Sequence, residues 1–209
     1  MMAKKLAITI LGAGNIGGTL GRKWLATEHK VTFGVSNPEG ERARALRSEF
    51  GNGVMIGTTS EVLAQEADVI VMALPGAAMN STITAYAAQL DGKVIIDTAN
   101  RLGGGLLSSL ATFQQQTPHA HIYRAFNTLG WENFADPLFD GVPADLFYCG
   151  PDGESHKAVE QLIVDVGLRP IYLGGVEQTS LVDSIGSLWF ALVFGQHKGR
   201  HLAFKVLER

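Results

Sequence analysis

The chain has 209 residues, 46% of them apolar, and a net charge of −3 with its histidines neutral. That length suits one large α/β domain or a domain with a small annex, and the apolar share is high enough for a sizeable core. A pI near 6.1 and the lack of a basic stripe speak against nucleic acid as the main partner. The single cysteine, Cys149, rules out an intrachain disulfide and any cysteine-cluster metal site.

The first residues, Met1-Met2-Ala3-Lys4-Lys5, run straight into an apolar stretch and do not read as a signal peptide. The longest apolar run, 188–194, is far shorter than the roughly 20 residues that span a bilayer. The expectation is a cytoplasmic protein with no membrane contact.

Residues 6–11 predict a strand, and it ends directly in Gly12-Ala13-Gly14-Asn15-Ile16-Gly17, a G-x-G-x-x-G followed by a helical pattern over 15–27. That order is what a dinucleotide pyrophosphate requires. Gly12 makes the tight turn, Gly14 clears the path of the phosphates, and Gly17 lets the helix pack on the strand with its N-terminal N–H groups facing the ligand. The same glycines without ligand would be only a strand–helix turn. Further strands are expected at 30–35, 54–56, 69–73, 94–96, 121–125, 146–149 and 169–173. Helices are expected at 39–50, 60–65, 77–89, 105–116 and 154–166, with a last one from 177 to about 207 that breaks near Gly195 or Gly199. This alternation predicts βαβ units and a doubly wound, mostly parallel sheet of the Rossmann type with a small C-terminal helical part. Residues 1–209 read as a single domain. Residues 1–128 form the nucleotide-binding core, and 129–209 form an acceptor-side and dimer-side extension. The Gly/Pro/Asp-rich stretch 129–143 is the least regular.

The acidic residue that reads a ribose 2′-hydroxyl about 20 residues past the glycines is missing. Its place reads Phe33-Gly34-Val35-Ser36-Asn37-Pro38. Ser36 or Asn37 is expected to cap the next helix with Pro38 in its first turn. A helix start with a hydroxyl or amide donor suits a 2′-phosphate, with Arg42 and Arg44 adding charge, so NADP is favoured over NAD. Glu39 and Glu41 weigh against it, and a plain helix cap is the alternative. Three more strand ends, 73–76, 97–100 and 126–128, bring small or amide-bearing residues to the same rim, where ligands of open α/β sheets bind. No H-E-x-x-H or G-x-S-x-G occurs, so metal hydrolysis and serine hydrolysis have no support. No conventional acid–base catalyst stands out either, and no residue is assigned a catalytic role. His197 and Arg200 are kept as contacts to a second ligand. The apolar run 188–194 must be buried, in its own core or against a second subunit.

Gly12-Ala13-Gly14-Asn15-Ile16-Gly17, Phe33-Gly34 with Asn37-Pro38, Asp97 with Asn100, Ala125-Phe126-Asn127-Thr128 and Tyr148-Cys149-Gly150 occur in order over nearly the whole chain. This set resembles the coenzyme F-420-dependent NADP oxidoreductases and is similar to the cytosolic domain of the six-transmembrane ferric reductases. The resemblance implies an NADP(H)-dependent oxidoreductase that passes hydride directly to a deazaflavin or flavin, a small-molecule ring acceptor, and works as a homodimer. It implies that Ala13, Asn15 and Ile16 meet the pyrophosphate and that Ser36 and Asn37 meet the 2′-phosphate. Leu74 and Pro75 would pack along the cofactor, with Asn100, Asn127 and Thr128 beside the nicotinamide and the second ring. One departure matters: the family has Ser-Arg where this chain has Val35-Ser36. Two other readings stay open, a small-molecule imine or keto reductase and a non-catalytic NADP(H) sensor.

Overall fold

The computed structural model describes residues 4–101 and 107–209, and of Asn52 only the backbone. Among the described residues there are ten strands and nine α-helices. The strands are β1 (Ala7–Leu11), β2 (Lys30–Gly34), β3 (Met55–Gly57), β4 (Val69–Met72), β5 (Val94–Asp97), β6 (His121–Arg124), β7 (Leu138–Phe139), β8 (Val142–Pro143), β9 (Asp145–Tyr148) and β10 (Arg169–Tyr172). The helices are α1 (Asn15–Ala26), α2 (Glu41–Phe50), α3 (Thr59–Leu63), α4 (Gly76–Ala85), α5 (Ala87–Leu90), α6 (Leu110–Gln116), α7 (Glu132–Ala135), α8 (Glu154–Val166) and α9 (Thr179–Phe190).

The main sheet is parallel throughout, in the order β3-β2-β1-β4-β5-β6. The order reverses between β1 and β4, and that switch point opens the crevice in which such sheets bind ligands. Strand alternation splits the core in two. Ile8, Ile10, Val69, Val71 and Ile96 face one layer with Leu20, Trp24, Leu46 and Leu162. Leu11, Ile70, Met72 and Ile95 face the other with Val62, Met79, Ile83 and Phe113. Sheets covered on both faces need such near-continuous apolar strands.

Polar groups tie the layers together. Trp24 is fully buried, and its Nε1 donates to the Leu162 carbonyl of α8 at 2.9 Å. The Leu6 N–H donates to His29 Nδ1 at 3.0 Å, so the His29 hydrogen sits on Nε2, 2.8 Å from Asp165 of α8. Thr58 and Glu61 form a reciprocal capping box at α3. Gly167, left-handed at φ 98°, ends α8.

β9 and β10 form a separate parallel pair joined by α8. An antiparallel bridge between Arg124 and Cys149 sets it against β6. The stretch 129–143 is more regular than expected: it holds α7 and the β7–β8 hairpin, turning at Asp140-Gly141 with φ 50° and 80°. Asp-Gly at two positive-φ positions is a strong hairpin signal. The helix expected at 77–89 is interrupted at Tyr86, whose φ −117° and ψ 22° separate α4 from α5. That expected at 105–116 is α6 from Leu110; residues 105 and 106 lie outside the described residues.

The final helix ends as α9, one wide turn over Ala191–Gly195 and then irregular chain to Arg209. That tail is strapped to β9. The Asp145 N–H donates to the Phe204 carbonyl, and the buried Asp145 carboxylate accepts from the Val206 N–H and from Arg169. Of α9, Val182, Asp183, Gly186 and Trp189 are buried, whereas Leu181, Leu188 and the following Phe194 are about half exposed. Its apolar residues are thus divided between the core and the surface. No helix among the described residues is long and apolar enough to cross a membrane.

Candidate cofactor site at the sheet rim

The glycine turn has the geometry its sequence implies. Gly12 has φ 106°, and a Cβ there would lie 2.4 Å from the Ala73 carbonyl oxygen. A Cβ on Gly17 would lie 2.1 Å from the Gly12 carbonyl oxygen. Both glycines therefore serve close packing of α1 on β1 and β4. Gly14 differs: a Cβ there meets only Arg42 Nη1, at 3.6 Å. The fold leaves room at Gly14, and that room lies at the mouth of α1, where free N–H groups and the helix dipole favour an anion.

Two cavities of about 290 Å³ each flank this turn. The first is lined by Ala13, Gly14, Asn15, Thr19, Arg22, Arg42, Leu46 and Trp131. The second is lined by Ile16, Leu74, Pro75, Thr98, Asn100, Trp131, Trp189, Phe190, Phe194 and Arg200. Trp131 belongs to both walls, so the two hollows adjoin across the glycine loop and together offer an elongated seat.

The two arginines of the first cavity differ. Arg22 Nε and Nη2 grip Glu49, so its charge is matched. Arg42 has no ion-pair partner among the described residues, and its guanidinium reaches over the loop. Ser36 and Asn37 are exposed beyond β2, but neither caps α2. Asn37 Oδ1 accepts from the Glu39 N–H at 3.0 Å, and Gly40 is the N-cap. This local turn uses up the Asn37 acceptor, so the helix starts two residues later than expected and Pro38 stays outside it. Arg47 donates to the Pro38 carbonyl and holds the turn from behind. Arg44 lines neither cavity.

In the second cavity Leu74, Pro75 and Asn100 are on the wall. Asn127 and Thr128 are not. They lie just beneath it, 3% and 0% exposed, with Asn127 Oδ1 and Thr128 Oγ1 lacking partners among the described residues. Phe126 turns the chain into this layer in the left-handed region, φ 60°, while fully buried. Arg200 faces Trp189 and Phe194, 5.4 and 5.7 Å from their ring centroids, and pairs with Glu132 of α7. Burial would raise the Glu132 carboxyl, but the Arg200 guanidinium outweighs it and holds the group below its ordinary range. His197 lines neither cavity; it is exposed in irregular chain at φ 53°.

Sequence reasoning missed Trp131, Glu132 and a buried charge cluster, Arg124 with Asp97 and Asp183. One signal was available for the last of these. An arginine inside the apolar strand His121-Ile122-Tyr123-Arg124 must find partners, because buried charge is almost always paired.

A six-stranded parallel sheet in this order, with a glycine turn at its switch point, defines a dinucleotide-binding protein of the Rossmann class. Residues 7–101 match the family described as NADP oxidoreductase, coenzyme F420-dependent. Over 224 residues the chain is 27% identical to the F420-dependent NADP reductase of Methanocaldococcus jannaschii, spanning 97% of this chain and all of that one. The family resemblance is borne out, and with it the reading as an NADP-dependent oxidoreductase. Two solved structures share the fold. One, assigned as an F420-dependent NADP-reductase from Arthrobacter sp. FB24, superposes with a TM-score of 0.82 at 24% identity, over 97% of this chain and 100% of that one. The other is a reductive aminase from Aspergillus terreus in complex with NADPH, at 0.63 and 18%. It is matched over 93% of this chain and 62% of its own length.

Proposed function

We propose that this protein transfers a hydride between NADP(H) and a planar deazaflavin- or flavin-like acceptor at the C-terminal rim of the sheet. The observation that carries the proposal is the second cavity. Trp131, Trp189, Phe190 and Phe194 wall it, and Leu74, Pro75 and Asn100 form its floor beside the glycine turn. Aromatic walls suit a flat ring, since offset and edge contacts add to plain area burial. When bound, the nicotinamide supplies the hydride and the second ring accepts it.

The chain's own part is binding and orientation. The open side of Gly14 and the mouth of α1 receive the pyrophosphate. Arg42, with no carboxylate partner among the described residues, takes over the 2′-phosphate from the strand-end arginine that Ser36 replaces, with Ser36 and Asn37 exposed beside it. Leu74 and Pro75 confine the nicotinamide ring. Arg200 and Glu132 brace Trp189 and Phe194 so that the wall is formed before the acceptor arrives. Direct transfer between stacked rings needs positioning above all, in keeping with the absence of an assigned acid or base. The half-exposed face of α9, with Leu181 and Leu188, suits a second copy of the chain in a homodimer. A cytoplasmic setting agrees with the one reduced, buried cysteine.

The test is stopped-flow oxidation of NADPH with oxidised deazaflavin, FMN and FAD in turn. Rapid oxidation by one ring supports the proposal and names the acceptor. Tight NADPH binding with no oxidation by any ring, or oxidation only by imines or ketones, overturns it. Arg42→Ala should weaken NADPH and leave NADH unchanged; equal loss of both would move Arg42 from the 2′-phosphate to the pyrophosphate.

A further inference from the structure

Beneath the floor of the second cavity lies a charge cluster that hydride transfer does not itself use. The Arg124 side chain is 1% exposed, and its partners Asp97 and Asp183 are 3% and 10% exposed. Nε donates to Asp183 Oδ1 at 2.8 Å. Nη1 donates to the carbonyls of Ala99, at 2.6 Å, and Asp97, at 3.2 Å. Nη2 donates to Asn100 Oδ1 at 2.8 Å. One guanidinium thus gathers the whole end of β5.

Such a cluster is poorly explained by stability. Apolar residues of similar volume commonly do as well as a buried ion pair or better, because desolvating the charges is expensive. Burial pushes the Asp97 carboxyl up even with Arg124 beside it, which shows how costly the second carboxylate is here. What the cluster provides is orientation. Asn100 Oδ1 is committed to Arg124, and Asn100 Nδ2 donates to the Asn127 carbonyl at 3.0 Å. A flipped amide would set NH₂ against guanidinium and oxygen against a carbonyl. The amide therefore has one permitted orientation, and the donor it has left for a ligand in the cavity that Asn100 lines is the second N–H of Nδ2, while its oxygen, which keeps one lone pair, is held against Arg124.

We infer that Arg124, anchored by Asp183, is a positioning residue that turns Asn100 into a fixed hydrogen-bond donor for a carbonyl oxygen on the bound ring. The ligand class this reads is an aromatic carboxamide, which rests on the nicotinamide half of NADP(H) occupying this cavity. Asp183 also accepts from Asn127 Nδ2 and from the Ser108 N–H, so the same carboxylate ties α9, which carries Trp189, to the floor.

The experiment measures, by calorimetry, the affinities of NADP⁺, its thionicotinamide analogue and 2′,5′-ADP. The analogue replaces the carboxamide oxygen by sulfur, a weak acceptor, and 2′,5′-ADP reports the adenosine half alone. The wild type should prefer NADP⁺ over the analogue by about tenfold, the size of one good neutral hydrogen bond. Asn100→Ala should reduce that preference to within about twofold. Arg124→Lys keeps the charge, but a point ammonium cannot span Asp183, Ala99 and Asn100 together. It should reduce the preference equally while 2′,5′-ADP binds as before. An unchanged preference in Arg124→Lys overturns the inference, as does a parallel loss of 2′,5′-ADP, which would mark a merely structural role. Failure of the wild type to bind any of the three would overturn the functional proposal instead.

Discussion

The sharpest separation of fold from function lies within one turn, between Gly14 and Gly17. In Gly17→Ala the new methyl would lie 2.1 Å from a backbone oxygen of Gly12 and 3.1 Å from Ile10 Cγ2 and Ala73 Cβ. Backbone cannot swing aside as a flexible side chain can, so α1 must move off β1. Overpacking of this kind costs about 1–3 kcal/mol, roughly 2–12 °C in Tm for a chain of this size. In Gly14→Ala the methyl meets only the flexible tip of Arg42 at 3.6 Å, and the backbone there, φ −74° and ψ −168°, suits alanine. Its stability should stay within about 0.5 kcal/mol of the wild type. The methyl does, however, fill the space through which the pyrophosphate reaches the backbone. Losing one charge-assisted hydrogen bond is worth about 1.5–3 kcal/mol, so NADPH should bind about 10- to 150-fold more weakly. Thermal unfolding and NADPH titration on the two variants read both quantities. Wild-type NADPH affinity in a stable Gly14→Ala would refute the assignment of this turn to the cofactor.

Trp24→Phe keeps most of the buried ring but leaves the Leu162 carbonyl without its 2.9 Å donor; denaturant melts should show a loss of about 1–3 kcal/mol. Asp145 offers a pH test. Burial would raise its carboxyl, but Arg169, the Val206 N–H and Lys205 outweigh it and hold the group low. Its grip on the tail is therefore full above the ordinary carboxylate range and is lost as pH falls through the lowered value. The hydrogen-exchange protection of the Val206 amide should persist at neutral pH and collapse only in acid, below the ordinary carboxylate range. Asp145→Asn should lose it at both, and protection that ignores pH would contradict this account. Arg200→Leu should raise the KM for the ring acceptor by more than it weakens NADPH, measured by steady-state kinetics and titration, since Arg200 lines the cavity on its aromatic side and braces Trp189 and Phe194.

The parts legible in the sequence were those whose physics is local. Val69-Ile70-Val71-Met72 reads as a strand buried on both faces because each of its residues is apolar, and it is one. Gly12, Gly14 and Gly17 read as a phosphate turn because an adjoining strand and helix frame them. As helix caps Ser36 and Asn37 misled, because the Asn37 side chain closes its own turn on Glu39, a competition between cap and turn that composition leaves undecided. The Arg124 cluster joins residues 27 and 59 positions apart in the chain, and no pattern of period two or 3.6 links them. Leu74, Pro75 and Asn100 were placed on the wall by the rule that strand ends line the crevice. The same rule could not tell that Asn127 and Thr128 fold one layer below it.

The sheet also ends well. On one side β3 is three residues long, and Arg47 Nη2 lies 3.5 Å from its Ile56 carbonyl. On the other, the Arg124–Cys149 bridge hands β6 over to β9, and the outermost strand, β10, carries Pro170, which has no N–H to offer. Neither margin is a good template for an incoming strand, so edge-to-edge polymerisation has no ready starting point. Long storage at high concentration should therefore yield particles joined through helical surfaces rather than fibrils with a cross-β repeat.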